Sequence, residues 1–165
     1  MAELGEFWRG EKKIILLDPN ITASKECEQL FDSLITSGAW VEFNQGIDAR
    51  LLTDKGVDQL NRMRIKMVHF AWDNYEMQTY EKLKKIRQRL EIQQRNARVY
   101  VLTNYNTTHS QDMERIRKLK ELGFDPFVMI YDKPSAPKVT RQLQRWCNNK
   151  YVFYACTWEE YGRDT

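Results

Sequence analysis

The chain has 165 residues, long enough for one domain with its own core, and 26 basic against 23 acidic side chains leave a net charge of only +3. Charges of both signs alternate, as in Glu81-Lys82-Leu83-Lys84-Lys85, which fits solvated helix faces and gives no indication of a nucleic-acid partner. No apolar stretch approaches a membrane span and the first residues lack a signal-peptide apolar core, so no membrane partner is expected and a cytoplasmic location is the default.

Five short apolar runs, each stopping at a small polar cluster, organise the chain. The first is Ile14–Leu17, ending in Asp18-Pro19-Asn20; the residues before it are weakly patterned, although Phe7 and Trp8 predict something packed there. A helix follows, opening near Thr22 or Ser24, showing one apolar face through Leu30, Phe31, Leu34 and Ile35, and stopping at Gly38. The second run, Trp40–Phe43, ends in Asn44-Gln45-Gly46 and Asp48, and Thr53-Asp54 then open a helix through Val57, Leu60 and Met63. The third, Met67–Ala71, ends in Trp72-Asp73-Asn74 and leads to a long charged helix carrying Tyr80, Leu83, Ile86 and Leu90. The fourth, Val99–Leu102, ends in Thr103-Asn104-Tyr105-Asn106 before a helix from about Ser110 to Gly123. The fifth, Phe127–Ile130, ends in Tyr131-Asp132-Lys133, and a stiff Pro-rich loop to Pro137 precedes a helix over Thr140 to Asn148. Tyr151–Tyr154 reads as a short last strand, and Thr157-Trp158-Glu159-Glu160 as the capping box of a final helix.

Strands alternating with helices of this length predict a parallel sheet with right-handed crossovers. The nearly continuous apolar runs predict that both faces of the sheet are covered. Periodicity leaves two architectures open, a doubly wound sheet and part of a (β/α) barrel. Either way the carboxyl ends of parallel strands meet on one rim, where such folds build ligand sites. That rim collects Asp18, Asn20, Gln45, Asp48, Arg50, Asp73, Asn74, Asn104, Asn106, Tyr131 and Asp132. Carboxylates and amides suit ribose hydroxyls and amino groups, aromatic rings suit a base, and Arg50 suits a carboxylate or phosphate. No G-x-G-x-x-G, P-loop or G-x-S-x-G pattern occurs. Cys27, Cys147 and Cys156 are too widely and unequally spaced for a disulfide framework or a structural metal site, and neither His69 nor His109 has a second ligand at regular spacing.

Several of these segments resemble strands of radical S-adenosylmethionine enzymes. Ile14-Ile15-Leu16-Leu17-Asp18-Pro19-Asn20-Ile21-Thr22 resembles their second strand and turn, and Glu42 to Thr53, with Asp48 and Arg50, their third. Val68-His69-Phe70-Ala71-Trp72-Asp73-Asn74 resembles the fourth, and Tyr100 to Thr108 the fifth. Val128 to Lys133, followed by Leu143 to Asn149, resembles a little-characterised, partly phage-associated subgroup. The resemblance implies a partial (β/α) TIM-like barrel of about five parallel strands with crossover helices. It implies a single domain, with a cap over residues 1–13, repeats over 14–150, and a strand and short helix over 151–165. It also implies S-adenosylmethionine and a four-iron, four-sulfur cluster as cofactors of the intact family member, with none expected bound to this chain, and places Asp73 and Asn74 near the ribose, Asn104 and Asn106 near the adenine, and Tyr131 bordering it. Asp18, Asn20, Gln45, Asp48 and Arg50 would then face substrate or the methionine end.

The family's C-x-x-x-C-x-x-C loop, which holds a four-iron, four-sulfur cluster after the first strand, does not occur in this sequence. The chain is therefore expected to correspond to a fragment that binds no cluster and cleaves no cofactor by itself. Its first strand would carry an open edge, covered by residues 1–13 or by another copy in a homo-oligomer. A non-catalytic interaction module and a flavodoxin-like ligand-binding domain are the alternatives; a sequential strand order would exclude the latter.

Overall fold

The computed structural model describes residues 4–18 and 21–162. Five strands form one all-parallel sheet: β1 (Lys13–Leu16), β2 (Trp40–Ile47), β3 (Arg64–Trp72), β4 (Ala97–Thr103) and β5 (Asp125–Ile130). Their order is sequential, 1-2-3-4-5, which differs from the 2-1-3-4-5 order of flavodoxin-like sheets. The helices are α1 (Leu4–Phe7), α2 (Cys27–Ser37), α3 (Asp54–Arg62), α4 (Met77–Arg89), α5 (His109–Leu122), α6 (Lys138–Asn148), α7 (Lys150–Ala155) and α8 (Trp158–Tyr161). No helix among the described residues is long and apolar enough to cross a membrane.

The helix boundaries follow local chemistry. Thr53 caps α3 by accepting from the Gly56 N–H, and capping boxes at Thr108 and Thr157 start α5 and α8. Gly38 and Gly123 close α2 and α5 in the left-handed conformation that favours glycine. The α2 start lies at Cys27, later than Thr22 or Ser24, because a 3₁₀ turn over Ile21–Ala23 intervenes. The N-terminal contact comes from Leu4, which is buried, and Trp8, whereas Phe7 points outward.

Two expectations are corrected. Tyr151–Tyr154 is not a strand but lies within α7, where Asn149 accepts from the Val152 N–H and Phe153 is buried edge-on against Trp146, while Tyr151 is exposed. The aromatic, β-branched composition favours a strand locally, but the cap and one-sided burial against α6 prevail. The sheet is also not covered on both faces. On β4, Ala97, Val99, Val101 and Thr103 are buried, whereas the intervening Arg98, Tyr100 and Leu102 are only half-buried. Helix packing thus falls on one face, where Phe31, Val41, Phe43, Phe70, Val99 and Leu83 join the main core. The other face carries a Lys13–Glu42–Lys66 ion cluster, His69 stacked on Tyr100, and Arg98 over the Phe127 ring. The lysine, arginine and tyrosine side chains lay apolar stems on this face while their polar ends reach its surface, and they cover His69, which is buried and bonded to the Phe43 carbonyl, without a second helix layer.

The two sheet edges differ. On the outer side of β5, Asn148 of α6 accepts from the Val128 N–H and donates to its carbonyl, and Gln144 donates to the same carbonyl. No described strand pairs with the outer side of β1.

Candidate functional site at the carboxyl rim

A cavity of about 400 Å³ opens over the carboxyl ends of β2, β3 and β4, within the usual range for small-molecule sites. Asp48, Arg50, Asp73, Asn74 and Glu76 supply its polar wall, and Gly46, Ala71, Tyr100, Leu102 and Met129 its apolar floor. The floor exists because β2 bulges. Phe43 pairs with Val68 but Ile47 pairs with Phe70, so Asn44-Gln45-Gly46 contribute extra residues on one strand. At Gly46 a Cβ would fall 2.9 Å from the Ala71 Cβ and 3.4 Å from the Tyr100 ring, so only glycine lets the bulge lie this close. Tyr100 crosses the open face to donate its hydroxyl to the Asn44 carbonyl.

Asp48 and Arg50 are locked together. Arg50 donates Nε and Nη2 to the two carboxylate oxygens at 3.0 and 2.9 Å, and its backbone N–H also reaches Asp48. These bonds hold the Asp48 carboxyl below its ordinary pKa and raise that of Arg50. Arg50 Nη1 stands 3.7 Å from Glu76. Asp73 behaves in the opposite way. Its residue is exposed by surface area, yet the protein packed around the carboxyl desolvates it and raises its pKa, against the pull of Arg115 and Arg50.

Arg115, on α5, holds this wall in place, and the sequence reading missed it. Its side chain has no exposed surface and forms a 2.6 Å ion pair with Asp112. It donates to the carbonyls of Trp72, Asp73 and Leu102, which end β3 and β4. Such carbonyls run out of sheet partners at the rim, so a buried guanidinium satisfies several acceptors at once. Thr107 adds a bond to Asp112. Burial lowers the Arg115 pKa and Asp112 opposes the shift. The available signal was the i,i+3 spacing of Asp112 and Arg115, the only such buried pair on α5 among the described residues.

The sequence-predicted residues divide into groups. Asp48, Arg50, Asp73 and Asn74 share the cavity. Asn106 joins it indirectly, donating to the Asn74 side chain at 2.8 Å. Asn104 and Tyr131 form a neighbouring cluster: Asn104, with φ +60°, donates to the Tyr131 carbonyl, and the Tyr131 ring lies 4.9 Å from that of Tyr105. Gln45 is carried outward by the bulge, and Asp18 is exposed at the end of β1; neither lines the cavity. Asn20 lies outside the described residues.

The residues present do not fit an iron–sulfur cluster. Cys27 lies on α2, Cys147 is buried on α6 and Cys156 follows α7; burial pushes the Cys27 and Cys147 thiols up to about 11 and about 12. Among the described residues no three His, Cys, Asp or Glu side chains converge as a metal site. The donors of the rim do fit a nucleoside-like ligand: carboxylates and an amide for hydroxyls, a guanidinium for an anionic end, and an aromatic and aliphatic floor. No family model, curated protein or solved structure matches the chain.

Proposed function

We propose that this chain is the S-adenosylmethionine- and substrate-binding part of a radical S-adenosylmethionine-type core, folded as a partial barrel and inert alone for want of a cluster-binding loop. The observation that carries this reading is the rim cavity, in which Asp48, Arg50, Asp73 and Asn74 surround an apolar floor. The sequential parallel order and the single helix-covered face support the partial-barrel form. In this reading Asp73 and Asn74 accept from and donate to the ribose hydroxyls, with Asn106 fixing the Asn74 amide. Tyr100, Leu102 and Met129 offer a flat apolar surface to a ring. A ligand carboxylate competes with Glu76 for Arg50 Nη1. Asn104 and Tyr131 border the site on the β5 side.

Titration calorimetry with S-adenosylhomocysteine, an unreactive analogue, tests the proposal. Binding by the chain is expected, weakened about tenfold or more by Asp73→Ala, the loss of one charge-assisted hydrogen bond. No binding by the parent, or equal binding by Asp73→Ala and Asn106→Ala, would overturn it. A second reading, a non-catalytic interaction module, is favoured by one observation: among the described residues no strand pairs with the outer edge of β1.

A further inference from the structure

The geometry points to the outer edge of β1 as a self-docking site, at which two copies of the chain pair antiparallel about a two-fold axis at Ile15. The Lys12 carbonyl accepts from the Trp40 N–H of β2 at 2.9 Å. Since backbone direction alternates along an extended strand, Ile14 and Leu16 also turn their polar groups toward β2. Lys13, Ile15 and Leu17 turn theirs outward. The same residues expose apolar surface: Ile15 is 49% and Leu17 63% exposed. A strand edge that no described strand pairs, with exposed apolar side chains, is a template for another strand.

The opposite edge is closed by the side-chain amides of Asn148 and Gln144. The lysine that would ordinarily guard β1 is drawn away, since Lys13 Nζ is held 2.9 Å from Glu42 on β2. What selects a second copy as occupant is the strand's own sequence, Lys12-Lys13-Ile14-Ile15-Leu16-Leu17-Asp18. Paired antiparallel about Ile15, it sets Lys12 against Asp18, Lys13 against Leu17, and Ile14 against Leu16. Basic and acidic ends meet, and apolar residues meet between them. The two sheets then join as one.

Sedimentation velocity over a concentration series tests this. A reversible, concentration-dependent dimer is expected. Ile15→Pro removes only an outward N–H, so it keeps the parent's circular dichroism and melting curve but sediments as a monomer. Ile15→Lys, at an exposed position, places like charges on the axis and raises the dimer dissociation constant about tenfold or more. In a Cys27→Ser, Cys156→Ser background, Ile15→Cys cross-links to itself, because directly opposed residues there lie about 5.5 Å apart. Leu17→Cys cross-links only when mixed with Lys13→Cys. A chain that stays monomeric at about 1 mM, the weak end of measured affinities, overturns the proposal. So does a dimer that survives Ile15→Pro and Ile15→Lys, or one in which Ile15→Cys fails to cross-link.

Discussion

Replacing Arg115 by methionine removes a guanidinium that is fully buried between α5 and the rim. Methionine fills most of the stem volume, so the loss is mainly polar. Asp112, almost without exposed surface, keeps its carboxylate and only the Thr107 hydroxyl bond. Removing one member of a buried pair costs about 3–5 kcal/mol. The Trp72, Asp73 and Leu102 carbonyls also lose a donor, although those at the rim regain water. A total of about 4 kcal/mol is a large share of a typical domain's stability. For a chain of this length it lowers the melting temperature by about 8–16 °C. Urea unfolding of Arg115→Met, Asp112→Asn and the double variant forms a complete cycle. The double variant should be more stable than the sum of the single losses implies, since it leaves no unpaired charge. A loss under about 1 kcal/mol for Arg115→Met, or strict additivity, would refute the role assigned to Arg115.

Asp73→Asn should stabilise the fold at neutral pH while weakening ligand binding. The folded state holds the Asp73 proton more tightly, so the carboxylate costs nothing below its ordinary value of 3.8. The cost appears as pH rises past that value and is complete above the raised folded pKa; the stability gain of Asp73→Asn should therefore vanish in acid unfolding series. His69 has the opposite linkage. Burial lowers its pKa, while its Nδ1–H donates to the Phe43 carbonyl at 2.7 Å. The neutral ring is favoured in the fold, so its stability contribution is present above the ordinary 6.5 and is lost as pH falls below it; His69→Gln should flatten the denaturant midpoint across that window. Asn148→Ala unseals the outer edge of β5 and should cost about 2 kcal/mol for two lost hydrogen bonds, with light scattering rising as the edge is freed.

The strands were legible because their apolar residues are contiguous, and their parallel pairing sets their carboxyl ends on one side of the sheet. The length of β2 was not legible: Asn44-Gln45-Gly46 reads as the polar end of the run, and only pairing with β3 makes it a bulge after which the strand resumes at Ile47. Tyr151–Tyr154 misled because aromatic and β-branched residues favour strands wherever no partner is specified, whereas Asn149 and Trp146 fix the helix here. Within the rim, Asp48, Arg50, Asp73 and Asn74 converge because they follow strands β2 and β3, which are adjacent. Asp18 follows the edge strand and stands apart. Arg115 escaped because Arg115 and Arg117 look alike in the sequence, yet one is buried and the other is exposed and paired with Glu159.

The Arg115 fork has a dynamic consequence. A single guanidinium ties the ends of two strands to α5, so neither strand end can fray without exposing a buried charge. Opening of the rim should thus demand nearly the free energy of unfolding the whole sheet, and amides around Trp72 and Thr103 should exchange with solvent water as slowly as those of the core. A ligand then meets a preformed wall that loses little entropy on contact, and selectivity comes from fit to a rigid outline rather than from loops closing around the guest.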